Sequence, residues 1–140
     1  MKKEKRERSA GFIVVQRREK AFRVLGLYVN GSVDVPKGHV EDGESDFDAA
    51  IRECEEEAGL KIESENLRWG KASLVINRPH KDVVVYLAET NQDPVIKKNP
   101  VTGIYEHDGY KWMTWEEMAR RCHKYLVPAV NWARKTITNT

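Results

Sequence analysis

Apolar and polar positions along the chain fall into alternating strand-like and helix-like stretches. Ser9 to Gln16 (SAGFIVVQ) and Phe22 to Val29 (FRVLGLYV) are β-branched and apolar, with the charged segment Arg17 to Lys20 between them. Two such runs joined by a short polar turn predict a β-hairpin. Gly31 to Gly43 carries Pro36 and Gly38 as breakers and closes on Glu41-Asp42-Gly43, which predicts a loop. Ser45 with Asp48 three residues on is a helix-start signal, and acidic residues fill the first turn, where the helix dipole favours them. That helix should run to about Ala58, with Gly59 placed to end it. Leu67 to Val75 and Val83 to Glu89 predict further strands, and Tyr110 to Thr114 a short final one. Trp115 to Cys122 and Leu126 to Thr136 predict helices. Mixed strands with one central and one or two terminal helices predict an α/β fold, an α/β/α sandwich around a mixed sheet.

The central helix has two stripes. At roughly 100 degrees per residue, Glu56 and Glu57 lie within about 60 degrees of Glu53, on one face. Phe47, Ile51, Cys54 and Ala58 cluster about a third of a turn away and form the expected core face. Asp48, Arg52 and Glu55 point away from both. Carboxylates at i, i+3 and i+4 repel, by up to about 4 kcal/mol per pair at an effective dielectric near 20. A hard divalent cation removes the conflict, and an all-oxygen ligand set favours Mg²⁺ or Mn²⁺ over zinc. A charged solvent face is the competing reading of the same residues. No register fits the calcium-binding EF-hand loop, and no GxxxxGK[ST] phosphate loop occurs.

Composition narrows the class. The chain has 140 residues, 40% of them hydrophobic and 33% charged, an ordinary globular composition for one domain. No apolar run approaches the ~20 residues that cross a bilayer. The N-terminus is basic without a signal-peptide core, so a cytoplasmic protein is expected. Cys54 and Cys122 match no zinc spacing, and Cys54 on the core face reads as a small apolar residue. Net charge is +2, yet residues 41 to 57 hold nine acidic side chains and one arginine, −8 locally, leaving +10 elsewhere. An acidic patch in a basic frame suits a metal site that draws in an anion. A solvated acidic helix with a basic tail accounts for the same numbers. Residues 1–8 are set apart as a basic extension, either a nucleic-acid arm or a solvated terminus, and 9–140 as the single domain.

Gly38, Glu44, Arg52, Glu53, Glu56, Glu57, Gly59 and Leu60 satisfy every fixed position of the Nudix box, with Cys54 in an aliphatic slot. On these residues the chain resembles the Nudix hydrolases. The resemblance implies a Mg²⁺-dependent enzyme that cleaves a pyrophosphate link in a nucleoside diphosphate joined to another group, with a catalytic loop-helix-loop. It implies that the Gly38 carbonyl and Glu53, Glu56 and Glu57 surround the metal, with Mn²⁺ as a substitute. Arg52 would orient a glutamate, and Glu44 would partner that arginine. A glutamate then takes a proton from water; it is either in the box or on an outside loop, where Glu106 is the candidate.

Three more segments resemble the asymmetric bis(5'-nucleosyl)-tetraphosphatases: Pro36 to Glu41, Val84 to Glu89, and Glu106-His107 followed by Tyr110-Lys111-Trp112. By that resemblance Lys37, His39 and Lys81 meet phosphates, and Tyr86 or Tyr110 stacks on a base; Tyr86 is equally readable as a packed strand residue. Two positions depart from the pattern. Val33 stands where a tryptophan is usual, and Val85 where an aromatic is, with Tyr86 one step out of phase. On a strand one step turns a side chain to the opposite face. The implied partner is a small nucleotide or other pyrophosphate; enzymes that trim the 5' end of RNA or act on diphosphoinositol polyphosphates share the architecture. A non-catalytic Nudix binding module need not keep every metal carboxylate, and here all are kept. The resemblance implies no particular oligomeric state.

Overall fold

The computed structural model describes residues 6–139. The hairpin is present: β1 (Glu7–Arg18) and β2 (Ala21–Val29) pair antiparallel, with Val15 opposite Val24 and Arg18 opposite Ala21. β1 is long because its two halves serve different partners. Its C-terminal half pairs with β2, while Ser9, Ala10 and Gly11 pair antiparallel with His39, Gly38 and Lys37 of β4 (Lys37–His39). Along its other edge β1 runs parallel to β6 (Lys81–Glu89). β3 (Ser32–Asp34), β5 (Ser73–Asn77) and β7 (Gly109–Met113) complete a mixed seven-stranded sheet, with order β3-β2-β1-β6-β5; β4 is added on β1 and β7 on β2.

Helices cover both faces, so central strands are apolar throughout rather than alternating. Ala10, Phe12 and Val14 of β1 and Val84, Tyr86 and Ala88 of β6 pack with α1 (Asp46–Ala58). Ile13 and Val15, with Val83, Val85 and Leu87, face the other layer. That layer is α2 (Trp115–Arg121) and α3 (Val127–Thr138), which contribute Met118, Ala129, Val130 and Ala133. The architecture is the expected α/β/α sandwich. None of the described helices is long and apolar enough to cross a membrane.

Three local expectations are corrected. The stretch from Gly31 to Gly43 is not all loop: Asn30 and Gly31, at φ 46° and 81°, form a two-residue turn that brings Ser32 opposite Val29, and β4 follows Pro36. Both residues at positive φ are what a tight hairpin turn requires. The strand expected over Leu67 to Val75 begins only at Ser73, because Gly70, at φ 83°, closes a turn by donating its N–H to the Leu67 carbonyl. On α1 the fully buried residues are Ala49, Ala50, Cys54 and Ala58, while Phe47 and Ile51 are only half-buried. Ala49 and Ala50 flank Glu53, so the carboxylate stripe overlaps the core face. Of the basic extension, residues 1–5 lie outside the described residues. Arg6 and Arg8 are held in ion pairs with Asp82, and Arg8 also with Asp46 at the start of α1.

Candidate active site

The site is built where α1 passes over β4. Ser45 caps the helix, its hydroxyl accepting from the Asp48 N–H at 3.0 Å, and Gly59 ends it at φ 65°. Between these ends one helical turn turns Glu53, Glu56 and Glu57 toward the edge of the sheet. Gly38 in β4 lies directly beneath: a Cβ at that position would fall onto the Glu53 carboxylate. Glycine is therefore demanded by the approach of a carboxylate to backbone. β4 itself approaches β1 closely because Gly11 has no side chain; a Cβ there would meet the Pro36 carbonyl and Lys37 Cα.

Arg52 organises the carboxylates. Its guanidinium donates twice to Glu44, at 2.9 Å each, in the bidentate geometry that suits a carboxylate. The remaining donors reach Glu53 Oε1 at 2.8 Å, Glu56 Oε2 at 3.2 Å and the His39 carbonyl at 3.0 Å. Arg52 was expected to point away from the carboxylate stripe, but its long side chain folds back across it. The glutamate nearest the core is held differently. Glu57 Oε1 accepts the Lys37 backbone N–H at 2.6 Å, and its Oε2 lies 3.4 Å from Nε2 of the buried His107.

Burial shapes the charges. Glu57 is pushed up to about 9, mainly by desolvation and further by the nearby Glu53, against the opposing Lys37 N–H. Glu53 is also raised by burial, although Arg52 pulls it down. Burial lowers His107, which favours the neutral imidazole. Glu44 is lowered by its bond to Arg52. Half-buried carboxylates whose charged form burial disfavours are groups a divalent cation would relieve, and their oxygen donors fit a hard one. The side chains of Glu57, Glu106 and His107 bring ligand atoms within 4.8 Å of one another, while Glu53 and Glu56 are turned toward Arg52.

A cavity of about 280 Å³ opens here. Lys37, Gly38, His39, Glu53, Glu56, Glu57 and Glu106 all line it, so the expected residues from the box, from β4 and from the 106 loop converge. Glu44 stands behind them through Arg52. Three expected contacts are not brought to the cavity wall. Tyr86 is buried in the α1-side core against Phe12 and Phe47, with ring centroids 5.8 and 5.1 Å away. Tyr110 packs on the same core, and Lys81, beside Ser9, lies outside the lining. Lys37 contributes its backbone more than its amine, which pairs with Asp34 at 3.0 Å.

Sequence reasoning missed Lys97, Asn99, Pro100 and His107, which close the cavity from the segment between β6 and β7. His107 stands next to Glu106, the one available signal; the other three sit in irregular chain with no periodicity to place them. Tyr125 was also missed. It stands beside Lys37, carries Arg78 3.8 Å from its ring centre and stacks with His123.

A mixed sheet between helices, with a glycine-bearing strand under a helix of three gathered glutamates, defines a hydrolase of the Nudix type. The NUDIX domain matches residues 4–137, and the chain belongs to that family. It is an enzyme that hydrolyses pyrophosphate bonds. It is 32% identical to the asymmetrical bis(5'-nucleosyl)-tetraphosphatase of Sus scrofa over 122 residues, 79% of this chain and 80% of the relative. The crystal structure of a C. elegans Ap4A hydrolase binary complex superposes with a TM-score of 0.75 at 21% identity, covering 96% of this chain and 99% of that one. The E. coli dihydroneopterin triphosphate pyrophosphohydrolase superposes with a TM-score of 0.66 at 20% identity, covering 89% and 92%. These two likenesses establish the shared fold.

Proposed function

We propose that the protein is a Mg²⁺-dependent pyrophosphohydrolase of dinucleoside polyphosphates such as diadenosine tetraphosphate, with Mn²⁺ able to replace Mg²⁺. The observation that carries the reading is the convergence of Glu53, Glu56 and Glu57 on one cavity, with Glu53 over the Gly38 backbone and Glu57 raised by burial. The substrate class is supported by the pig relative at 32% identity.

On this reading Glu53, Glu56, Glu57 and the Gly38 carbonyl hold the metal. Once bound, the ion supplies charge neutralisation for the polyphosphate, which is the main requirement of phosphoryl transfer. Arg52, locked by Glu44, sets the directions of Glu53 and Glu56. Glu106 takes the proton from the attacking water, and the buried His107 stands beside Glu57. His39 and Lys97 on the cavity wall meet phosphates. Lys37 and Lys81 act from behind with Arg78 as a cationic cluster: burial and the neighbouring cations Lys37 and Arg78 lower Lys81.

The test is product analysis with diadenosine tetraphosphate, a 5'-triphosphorylated RNA and a diphosphoinositol polyphosphate, each with Mg²⁺ and with EDTA. The expected outcome is asymmetric cleavage of the dinucleotide that EDTA abolishes. Glu53→Gln should lower turnover by roughly two orders of magnitude or more while the fold survives. Preference for the RNA, with a steep loss of affinity as salt is added, would move the substrate to RNA 5' ends. Undiminished hydrolysis in EDTA would sink the metal reading altogether.

A further inference from the structure

Between β6 and β7 one residue, Asn99, has both its main-chain and its side-chain amide engaged. The Asn99 N–H donates to the Ile104 carbonyl and its own carbonyl accepts from the Gly103 N–H, both at 2.8 Å, which folds 99–104 into a tight loop. Asn99 Oδ1 accepts from the N–H groups of Val101 at 2.8 Å and Thr102 at 3.2 Å. Two backbone donors on Oδ1 settle which way the amide faces. Its NH₂ group must then point the other way, and Nδ2 donates to Glu106 Oε1 at 2.6 Å.

The consequence concerns Glu106. This residue is exposed and belongs to no helix or strand, so its side chain has many rotamers available. The hydrogen bond from Asn99 singles out one of them, in which Glu106 lines the catalytic cavity and approaches Glu57 and His107. A base must lie within hydrogen-bond reach of the proton it removes, and a displacement of about 1 Å can cost on the order of 10²-fold in rate. We propose that Asn99 is a positioning residue: it uses a self-capped loop to hold the Glu106 carboxylate toward the attacking water. The proposal rests on the reading of Glu106 as the base.

Asn99→Asp separates the two jobs of this side chain. Aspartate keeps an oxygen to accept from Val101 and Thr102, so the loop is retained. The atom facing Glu106, however, changes from donor to carboxylate oxygen and repels it. With the substrate that the panel above yields, kcat should fall about 10- to 100-fold with KM unchanged. The melting temperature and the Val101 and Thr102 amide shifts should stay at wild-type values. Glu106→Gln should lower kcat by about 10²- to 10⁴-fold. The double variant N99D/E106Q regains the bond with donor and acceptor exchanged, so it should be no slower than E106Q. Wild-type kcat in N99D alongside a slow E106Q overturns the positioning role alone. Losses that multiply in the double variant overturn it too, even if N99D disturbs the loop. Wild-type kcat in E106Q removes Glu106 as base, and the role of Asn99 falls with it.

Discussion

Arg52 bears on the chemistry without facing the cavity. One guanidinium joins Glu44, Glu53, Glu56 and the His39 carbonyl, so the orientation of two site carboxylates depends on a planar fork with donors in fixed directions. Lysine carries the charge but only a single ammonium point, and it cannot serve four acceptors spread around a plane. Arg52→Lys should therefore lower Mn²⁺ affinity or kcat/KM by roughly 10- to 100-fold, the usual cost of losing an orienting partner. Isothermal titration with Mn²⁺ and steady-state kinetics would check this, and an unaltered variant would show that Glu53 and Glu56 need no orientation. The box residues were legible because their spacing is rigid: a helix converts i, i+3 and i+4 into one face whatever surrounds it. Tyr86 was open to two readings because its surroundings, Phe12 and Phe47, come from other elements. Asn99 and Tyr125 were invisible for a related reason, since their partners Glu106 and Lys37 meet them only after the chain has folded.

At the scale of elements, the site depends on β4, three residues long, lying flat against β1. Gly11 and Gly38 allow this from opposite sides: Gly11 admits β4 to β1, and Gly38 admits the Glu53 carboxylate to β4. Gly11→Ala would place a methyl against the Pro36 carbonyl and the Lys37 backbone, neither of which is a flexible side-chain end. Overpacking of this kind costs about 1–3 kcal/mol. The expected result is a lower urea midpoint together with weaker activity, because β4 must move and carry Gly38 away from Glu53. Denaturant titration and the assay on the same preparation would test the coupling; a stable but inactive variant, or an active but unstable one, would break it. Long elements such as the hairpin, α1 and β6 were readable from pattern, since many residues vote on each. β3 and β4 were not, because three residues carry no measurable period. Yet Asn30-Gly31, between Val29 and Ser32, is the dipeptide that tight hairpin turns select, so β3 did leave a signal in the sequence. The late start of β5 follows from Gly70, whose turn outweighs the apolar Leu67 and Trp69 beside it.

Across the whole molecule, the acidic patch couples stability to pH and to metal. Glu57 has a folded pKa of about 9, well above the ~4.3 of an unfolded glutamate. For a carboxyl raised in this way the folded state keeps the proton that the unfolded state has released. Its stabilising contribution is therefore complete below the unfolded value and is lost as pH rises toward the folded one. The buried His107, lowered by desolvation, acts in the opposite sense, but its contribution is complete above the ordinary histidine value of about 6.5. The other carboxylates with resolved downward shifts, Glu44, Asp82, Glu116 and Glu117, matter only in acid. Between about pH 7 and pH 8, then, the decline belongs chiefly to Glu57, with Glu53 adding to it. That interval lies below the range in which the buried thiols Cys54 and Cys122, also raised by burial, act in the same sense. In EDTA the melting temperature should fall across that interval, and Glu57→Gln, which cannot ionise, should flatten the fall. Saturating Mg²⁺ should raise the melting temperature more at the alkaline end, because the ion binds the deprotonated carboxylate that the metal-free fold resists. A metal-induced shift equal at both ends, or a decline that persists undiminished in Glu57→Gln, would mean that this carboxyl is not the group linking cation to fold.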